Sequence, residues 1–158
     1  MLGHNGIDWG AKDNEPIYWD CSISGIVLNT EIDSSGGLGV NVITDDYEIF
    51  KHRFWHLKKF GCIAGQILDT GDLIGYADNT GISTGTHLHR DLKPMIKDEF
   101  GNYKIKDRDN GYFGCVDYEL VNIFVVDYMN ILKAKLSLLK KIIIAIKTLI
   151  KIFKGRAN

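Results

Sequence analysis

The sequence predicts a mainly β protein: a small antiparallel, sandwich-like sheet domain followed by one C-terminal amphipathic α-helix. Three observations carry this. Most of the 17 glycines fall in residues 1–96, where they cut the chain into short runs. The runs between them are apolar, β-branched or aromatic, and several alternate with period two. From about Tyr128 the composition changes: Gly and Pro vanish until Gly155, and Leu, Ile, Ala and Lys take over. That is a helical composition.

The strands follow in order. Asn5-Gly6 disfavours a helix, so His4 to Asp8 is expected on a turn or short extended segment. Ile17–Leu28 is apolar and β-prone. Asp33-Ser-Ser-Gly-Gly37 is a turn cluster. Val40, Val42 and Thr44 alternate with Asn41 and Ile43 as a strand does. Asp45-Asp46 marks a hairpin tip, and Tyr47–His56 the returning strand. Gly61, Gly65, Gly71, Gly75, Gly81 and Gly85 leave no room for a long helix. A hairpin is expected around Gly101-Asn102, then a loop at Asp109-Asn110-Gly111. The organisation predicted is a core at 1–96, an appended hairpin and loop at 97–128, and a helix at 129–158.

With 158 residues, 19 Lys plus Arg and 20 Asp plus Glu, the formal net charge is −1. That balance excludes a generally basic nucleic-acid binder and a polyanionic disordered chain. The neutrality is a sum of opposites. All 20 acids lie at or before Asp127, whereas residues 132–158 hold eight bases and no acid. The first 131 residues therefore carry −9 and the rest +8. Cys21, Cys62 and Cys115 form no Cys-x-x-Cys, so neither a disulfide framework nor a thiolate zinc site is expected. Met1 runs straight into Gly3-His4-Asn5-Gly6 with no signal sequence in view.

The chemistry lies in the five histidines, His4, His52, His56, His87 and His89. His87-Leu88-His89 follows Gly85-Thr86. In a strand, residues two apart share a face, so both imidazoles would enter one site. His4, Asp8 and one of these two make a His₂-carboxylate set. This is the pattern of a catalytic zinc with three protein ligands and one open position. His52, by its spacing in the expected returning strand, is expected to be a structural or surface residue rather than a ligand. There is no His-Glu-x-x-His, no Gly-x-Ser-x-Gly, and Gly36-Gly37-Leu38-Gly39 lacks the Lys of a phosphate loop.

These residues also stand in a familiar order. Gly3-His4-Asn5-Gly6-Ile7-Asp8-Trp9 opens the series, followed by Pro16-Ile17-Tyr18 and Ser24-Gly25-Ile26-Val27. Then come Gly39-Val40-Asn41-Val42-Ile43, Trp55-His56-Leu57 and Gly71-Asp72-Leu73-Ile74-Gly75. Asn79-Thr80-Gly81-Ile82-Ser83-Thr84-Gly85-Thr86-His87-Leu88-His89 completes it. Over residues 3–94 the chain resembles the lysostaphin-type zinc metallopeptidases, which cut peptidoglycan peptides and have the small β fold called the duplicated hybrid motif. The resemblance implies one Zn²⁺ per chain held by His4, Asp8 and His89, with His56 and His87 as the catalytic pair. It implies a peptidoglycan peptide as substrate and action at the bacterial wall, by a phage-associated or released protein. A non-catalytic wall-binding or regulatory module of the same fold is the alternative.

The sequence departs from the family in three places. Arg90-Asp91 stand where an aromatic and an acid usually follow His-Leu-His. In a strand Arg90 would face the core, so Asp91 or another acid must pair with it. Phe54 replaces a Tyr, losing a hydroxyl. Only three residues precede His4, which suggests a truncated or minimal form.

In the tail, Lys133, Lys140, Lys147, Lys151 and Lys154 share one helical face, and Leu and Ile cover much of the rest. Its apolar runs are far shorter than the ~20 residues a bilayer requires. Residues 132–154 are therefore expected to lie at an anionic membrane interface or against a partner chain. A membrane-active protein working through this helix is the third reading.

Overall fold

The computed structural model describes residues 5–46, 48–117, 135–143 and 146–147. His4, Tyr47 and the rest of the 129–158 segment lie outside them. The strands are β1 (Ile7–Gly10), β2 (Pro16–Tyr18), β3 (Gly25–Asp33), β4 (Gly37–Asp45), β5 (Ile49–Phe60), β6 (Ile67–Leu68), β7 (Leu73–Ala77), β8 (His87–Lys97) and β9 (Tyr103–Ile105). Their main order is β1-β8-β5-β4-β3-β6, with β7 joining β5 to β2 and β9 added to β8. Every pairing is antiparallel. This is the mainly β architecture that the glycine spacing and alternation predict.

The turn at 34–36 forms as expected. Asp33 Oδ1 accepts the backbone N–H of Ser35 at 2.7 Å and of Gly36 at 2.9 Å, an Asx-type cap that reverses the chain. The β-prone Ile17–Leu28 run contributes to two strands, β2 and β3. Between them Trp19 is fully buried, and its indole N–H donates to the Ile23 carbonyl at 2.9 Å. Seating the indole in the core, with its N–H satisfied, bends the chain away from one continuous strand.

Strand alternation then sorts the central strands into two faces. Val40, Val42, Phe54, Leu57 and Leu88 turn to a core shared with Trp19, Val27, Leu68 and Ile74. Asn41, Arg53 and Asp91 lie opposite one another in register, with His89 opposite Trp55, on the other face of β4, β5 and β8.

Arg90 belongs to the core face. It is 2 % exposed, and its partner is Asp20, at 2.6 Å, rather than its neighbour Asp91. Its guanidinium also lies 4.7 Å from the Phe54 ring centroid and 5.8 Å from that of Trp9. The burial is thus matched by an ion pair and two aromatic faces.

His52 is a buried structural histidine, as expected. Its Nε2 lies 3.1 Å from Thr44 Oγ1, and Trp19 meets it edge-on at 5.0 Å. Burial, helped by the Arg90 charge, pushes its pKa down from 6.5 to about 3. The folded protein therefore holds His52 neutral, while the unfolded chain protonates it below about pH 6.5. Its contribution to stability is complete above that pH and is lost as the pH falls towards 3. The loss is on the order of a few kcal/mol. Urea melts between pH 7 and 4 should show this slope in the parent, and a flatter one in His52→Gln. Equal slopes would assign the acid sensitivity to other groups.

Beyond the site strands, β8 passes residue 96 without a break, and residues 98–102 return the chain into β9. The chain divides into two compact units, Met1–Tyr118 and Glu119–Asn158. In the second, 135–143 and 146–147 are helical. Leu136, Leu139, Ile142 and Ile146 are exposed there. Among the described residues, no helix is long and apolar enough to cross a membrane.

Candidate functional site

The site forms where β5 changes partners. Strand β5 pairs with β8 as far as Trp55↔His89 and with β7 from Leu57↔Ala77 onwards. His56 stands between the two, with φ +61°. A non-glycine residue in this left-handed region costs about 1–3 kcal/mol, and it persists only where its surroundings hold it. Here the backbone N–H of His56 donates to the Gly36 carbonyl at 3.0 Å, and its own carbonyl accepts from Asp78 N–H at 2.9 Å. The ring nitrogen Nδ1 lies 2.7 Å from the Thr80 carbonyl.

That contact fixes the chemistry of the ring. A carbonyl can only accept, so Nδ1 carries the proton, and neutral His56 keeps its lone pair on Nε2. Thr80 is itself held, since its hydroxyl donates to the Leu57 carbonyl at 2.8 Å. Burial lowers the pKa of His56, more than the Thr80 hydrogen bond raises it. The imidazole is thus kept neutral near pH 7.

Strand β1 delivers the carboxylate. It pairs with β8 in the register Asp8↔His89 and Gly10↔His87. The expectation of a short extended segment at Asp8 is met. Asp8 Oδ1 lies 2.8 Å from His89 Nδ1 and 3.4 Å from His87 Nε2. Gly6 makes this approach possible. A Cβ there would stand 2.5 Å from the Arg90 carbonyl oxygen and 2.7 Å from the His89 ring, so any side chain would drive β1 off β8. The glycine between His4 and Asp8 is a packing requirement as well as a turn preference.

His87 and His89 share one face of β8, as their spacing predicts. His87 Nδ1 lies 2.8 Å from the Gly85 carbonyl and 3.1 Å from Ser83 Oγ, which favours a proton on Nδ1 and leaves Nε2 towards Asp8. The His56 ring centroid is 4.6 Å from that of His87 and 6.0 Å from that of His89. Four of the five expected site residues are therefore together. His4, the fifth, lies outside the described residues.

Around His89 the electrostatics are set by carboxylates. Burial alone would lower its pKa, but hydrogen bonding and charge from Asp91 and Asp8 outweigh that and raise it. Asp91 shows the mirror image. Burial would raise its pKa, yet His89 and Arg53 hold it below the usual carboxylate value. A cleft of about 520 Å³ opens beside the histidines, lined by Glu31, Asp33, Arg53, Trp55, His56 and His89 among others.

The donor chemistry suits a zinc ion. Two imidazole nitrogens converge on one carboxylate oxygen, and nitrogen and oxygen donors of this kind are zinc ligands. Among the described residues, no three His, Cys, Asp or Glu side chains by themselves form a metal-holding group. The expected set needs His4 as its third member. Sequence reasoning missed Thr80 as the anchor of His56. Its only signal was a place in the Asn79-Thr80-Gly81 loop, because a backbone carbonyl leaves no mark on residue type.

The chain is 34 % identical over 89 residues to the peptidoglycan DD-endopeptidase ShyA of Vibrio cholerae, covering 56 % of this chain and 20 % of ShyA. It thus spans about a fifth of the length of that relative. The catalytic domain of the antimicrobial peptidase lysostaphin from Staphylococcus simulans superimposes with a TM-score of 0.54 at 24 % identity. That match covers 65 % of this chain and 74 % of that one, a likeness of fold. A zinc containing peptidase from Vibrio cholerae superimposes with a TM-score of 0.51 at 28 % identity, over 58 % of this chain and 27 % of that one. Residues 2–104 match the model of Peptidase family M23. With that match spanning well over half its length, and with the fold and the histidine cluster described above, the chain belongs to Peptidase family M23.

Proposed function

We propose that this protein is a zinc metalloendopeptidase that hydrolyses peptide bonds of bacterial peptidoglycan, with one zinc per chain. The observation that carries the proposal is the convergence of the His87 and His89 ring nitrogens on Asp8, with the His56 ring packed against His87. In this reading Asp8, His89 and His4 hold the metal, and His56 and His87 are the catalytic pair. Bound there, zinc would polarise the scissile carbonyl and acidify a water molecule.

The remaining work falls to the chain's own groups. His56 has its lone pair on Nε2 and a lowered pKa, so it is the base that takes the proton from the attacking water. Its tautomer is set in advance by the Thr80 carbonyl, and no reorganisation is needed at the moment of reaction. His87, when protonated, can donate from Nε2 to the developing oxyanion or to the leaving amine. The cleft beside them admits an extended peptide, with Trp55 as an apolar wall.

The bacterial wall is the proposed place of action, supported by the likeness to the peptidoglycan DD-endopeptidase ShyA. For residues 132–154 we propose contact with an anionic membrane or a partner chain, because apolar and Lys residues of the described helix are both exposed. Purified walls of several chemotypes, digested with the protein and analysed by mass spectrometry, test the activity. New amino and carboxyl termini within the peptides, suppressed by a chelator and restored by zinc, are expected. Walls left uncut in every chemotype would favour the non-catalytic binding module.

A further inference from the structure

Asp91 is placed at a cost that the fold does not require. Its side chain is wholly buried, on the face of β8 that carries His87 and His89 rather than on the core face. Oδ1 accepts from Arg53 Nε at 2.7 Å, and the Cys115 thiol lies 3.6 Å from the same oxygen. Oδ2 has no hydrogen-bond donor among the described residues. A buried acceptor left without a donor is destabilising. The ring nitrogen facing it is His89 Nε2, at 3.7 Å, while the other nitrogen of that ring, Nδ1, meets Asp8 at 2.8 Å. The imidazole of His89 is thus strung between two carboxylates, one on each nitrogen.

We propose that Asp91, anchored by Arg53, is the positioning residue for His89: in the metal-free chain Nδ1–H donates to Asp8, and in the zinc-loaded protein Asp91 would hold the proton on Nε2, leaving the Nδ1 lone pair for the metal. The inference rests on the zinc reading above. The logic is that of tautomers. A ligating imidazole must present one nitrogen without a proton, so the other must carry it, and that N–H needs an acceptor. Asp91 Oδ2 is an acceptor with spare capacity, and the small movement that closes 3.7 Å to a hydrogen bond also satisfies the orphaned oxygen. Arg53 fixes the rotation of the carboxylate through Oδ1, so that Oδ2 is turned to His89. A carboxylate in this place would support His89 without touching substrate or metal.

Asp91→Asn tests it with almost no change of shape. The Asn carbonyl oxygen can still accept from Arg53. The amide NH₂ then faces His89 Nε2, so a donor meets a donor and the ring is pushed towards the wrong tautomer. Zinc affinity, measured by competition with a chelator, is expected to fall roughly 10- to 100-fold. The metal-free melting temperature should fall somewhat, because Arg53 loses its counter-charge, so zinc affinity is measured well below the variant's own melting temperature. Nitrogen-15 NMR of zinc-loaded parent protein should show His89 protonated at Nε2.

Zinc affinity within about twofold of the parent in Asp91→Asn would overturn the inference and leave the zinc reading intact. So would a zinc-loaded parent in which His89 carries its proton elsewhere, a result that does not depend on the variant folding. A parent that binds no zinc would overturn the reading and this inference together.

Discussion

Replacing His56 or His87 is expected to leave zinc bound and to lower wall-peptide hydrolysis by ~10²-fold or more, the contribution of a positioned acid or base. The argument for His56 is local. Its Nδ1 is committed to the Thr80 carbonyl, its pKa is lowered mainly by burial, and Nε2 is left to accept a proton. His56→Ala removes that base, but alanine is also unfavourable at φ +61°. His56→Asn is the better probe, since Asn tolerates the left-handed region. It should melt near the parent temperature and be equally inactive. For His87, alanine suffices, because the residue lies in regular β8. Either His variant cutting walls at the parental rate would remove that residue from the chemistry. Loss of zinc in either would move it among the ligands.

Loss of the metal is the expected result of Asp8→Ala, of His89→Ala and of His4→Ala, the three ligands proposed above. Three-ligand sites have no spare donor. Asp8 and His89 are already in contact at 2.8 Å from neighbouring strands, so removing either leaves one of the two proposed ligands that the structure describes. Elemental analysis should find about one zinc in the parent and a large deficit in each variant, with activity falling in step. Full occupancy in all three would refute the ligand assignment. His89→Ala should also raise the pKa of Asp91, because the imidazole facing its carboxylate is the largest of the influences that lower it. Carboxylate NMR would read this directly.

The second unit and the sheet differ in how far each could be foreseen. The tail's helix followed from composition alone, since Leu, Ile, Ala and Lys without Gly or Pro favour local hydrogen bonds within a few residues. Its apolar face was equally visible, yet what covers that face is a matter of surroundings rather than of sequence.

In the sheet, period-two alternation determined more than expected. It placed Val40, Val42 and Thr44 on one side and put His87 and His89 on one face, because successive side chains in a strand must point in opposite directions. The turns at 34–36 and 98–102 were legible from Asp, Ser, Gly and Asn, whose preferences act within a few bonds. The grouping of Asp8, His56, His87 and His89 was legible only as residue types in a familiar order.

Tertiary structure decided what depends on register between distant segments. Arg90 could be seen to face the core, but its partner is Asp20, 70 residues away, brought there by the bend around Trp19. Asp91 was available to Arg90 by sequence; strand alternation sent it to the other face, where Arg53 and His89 meet it. The kink at His56 arises because β5 leaves β8 for β7 at that residue, and no local preference of histidine asks for it. Nor could sequence assign the proton on its ring, which the Thr80 carbonyl fixes across 24 residues. Residue types set the available donors and acceptors. Which of them meet was decided by strand pairing, a non-local interaction whose hydrogen bonds form between backbones and so carry no side-chain signature.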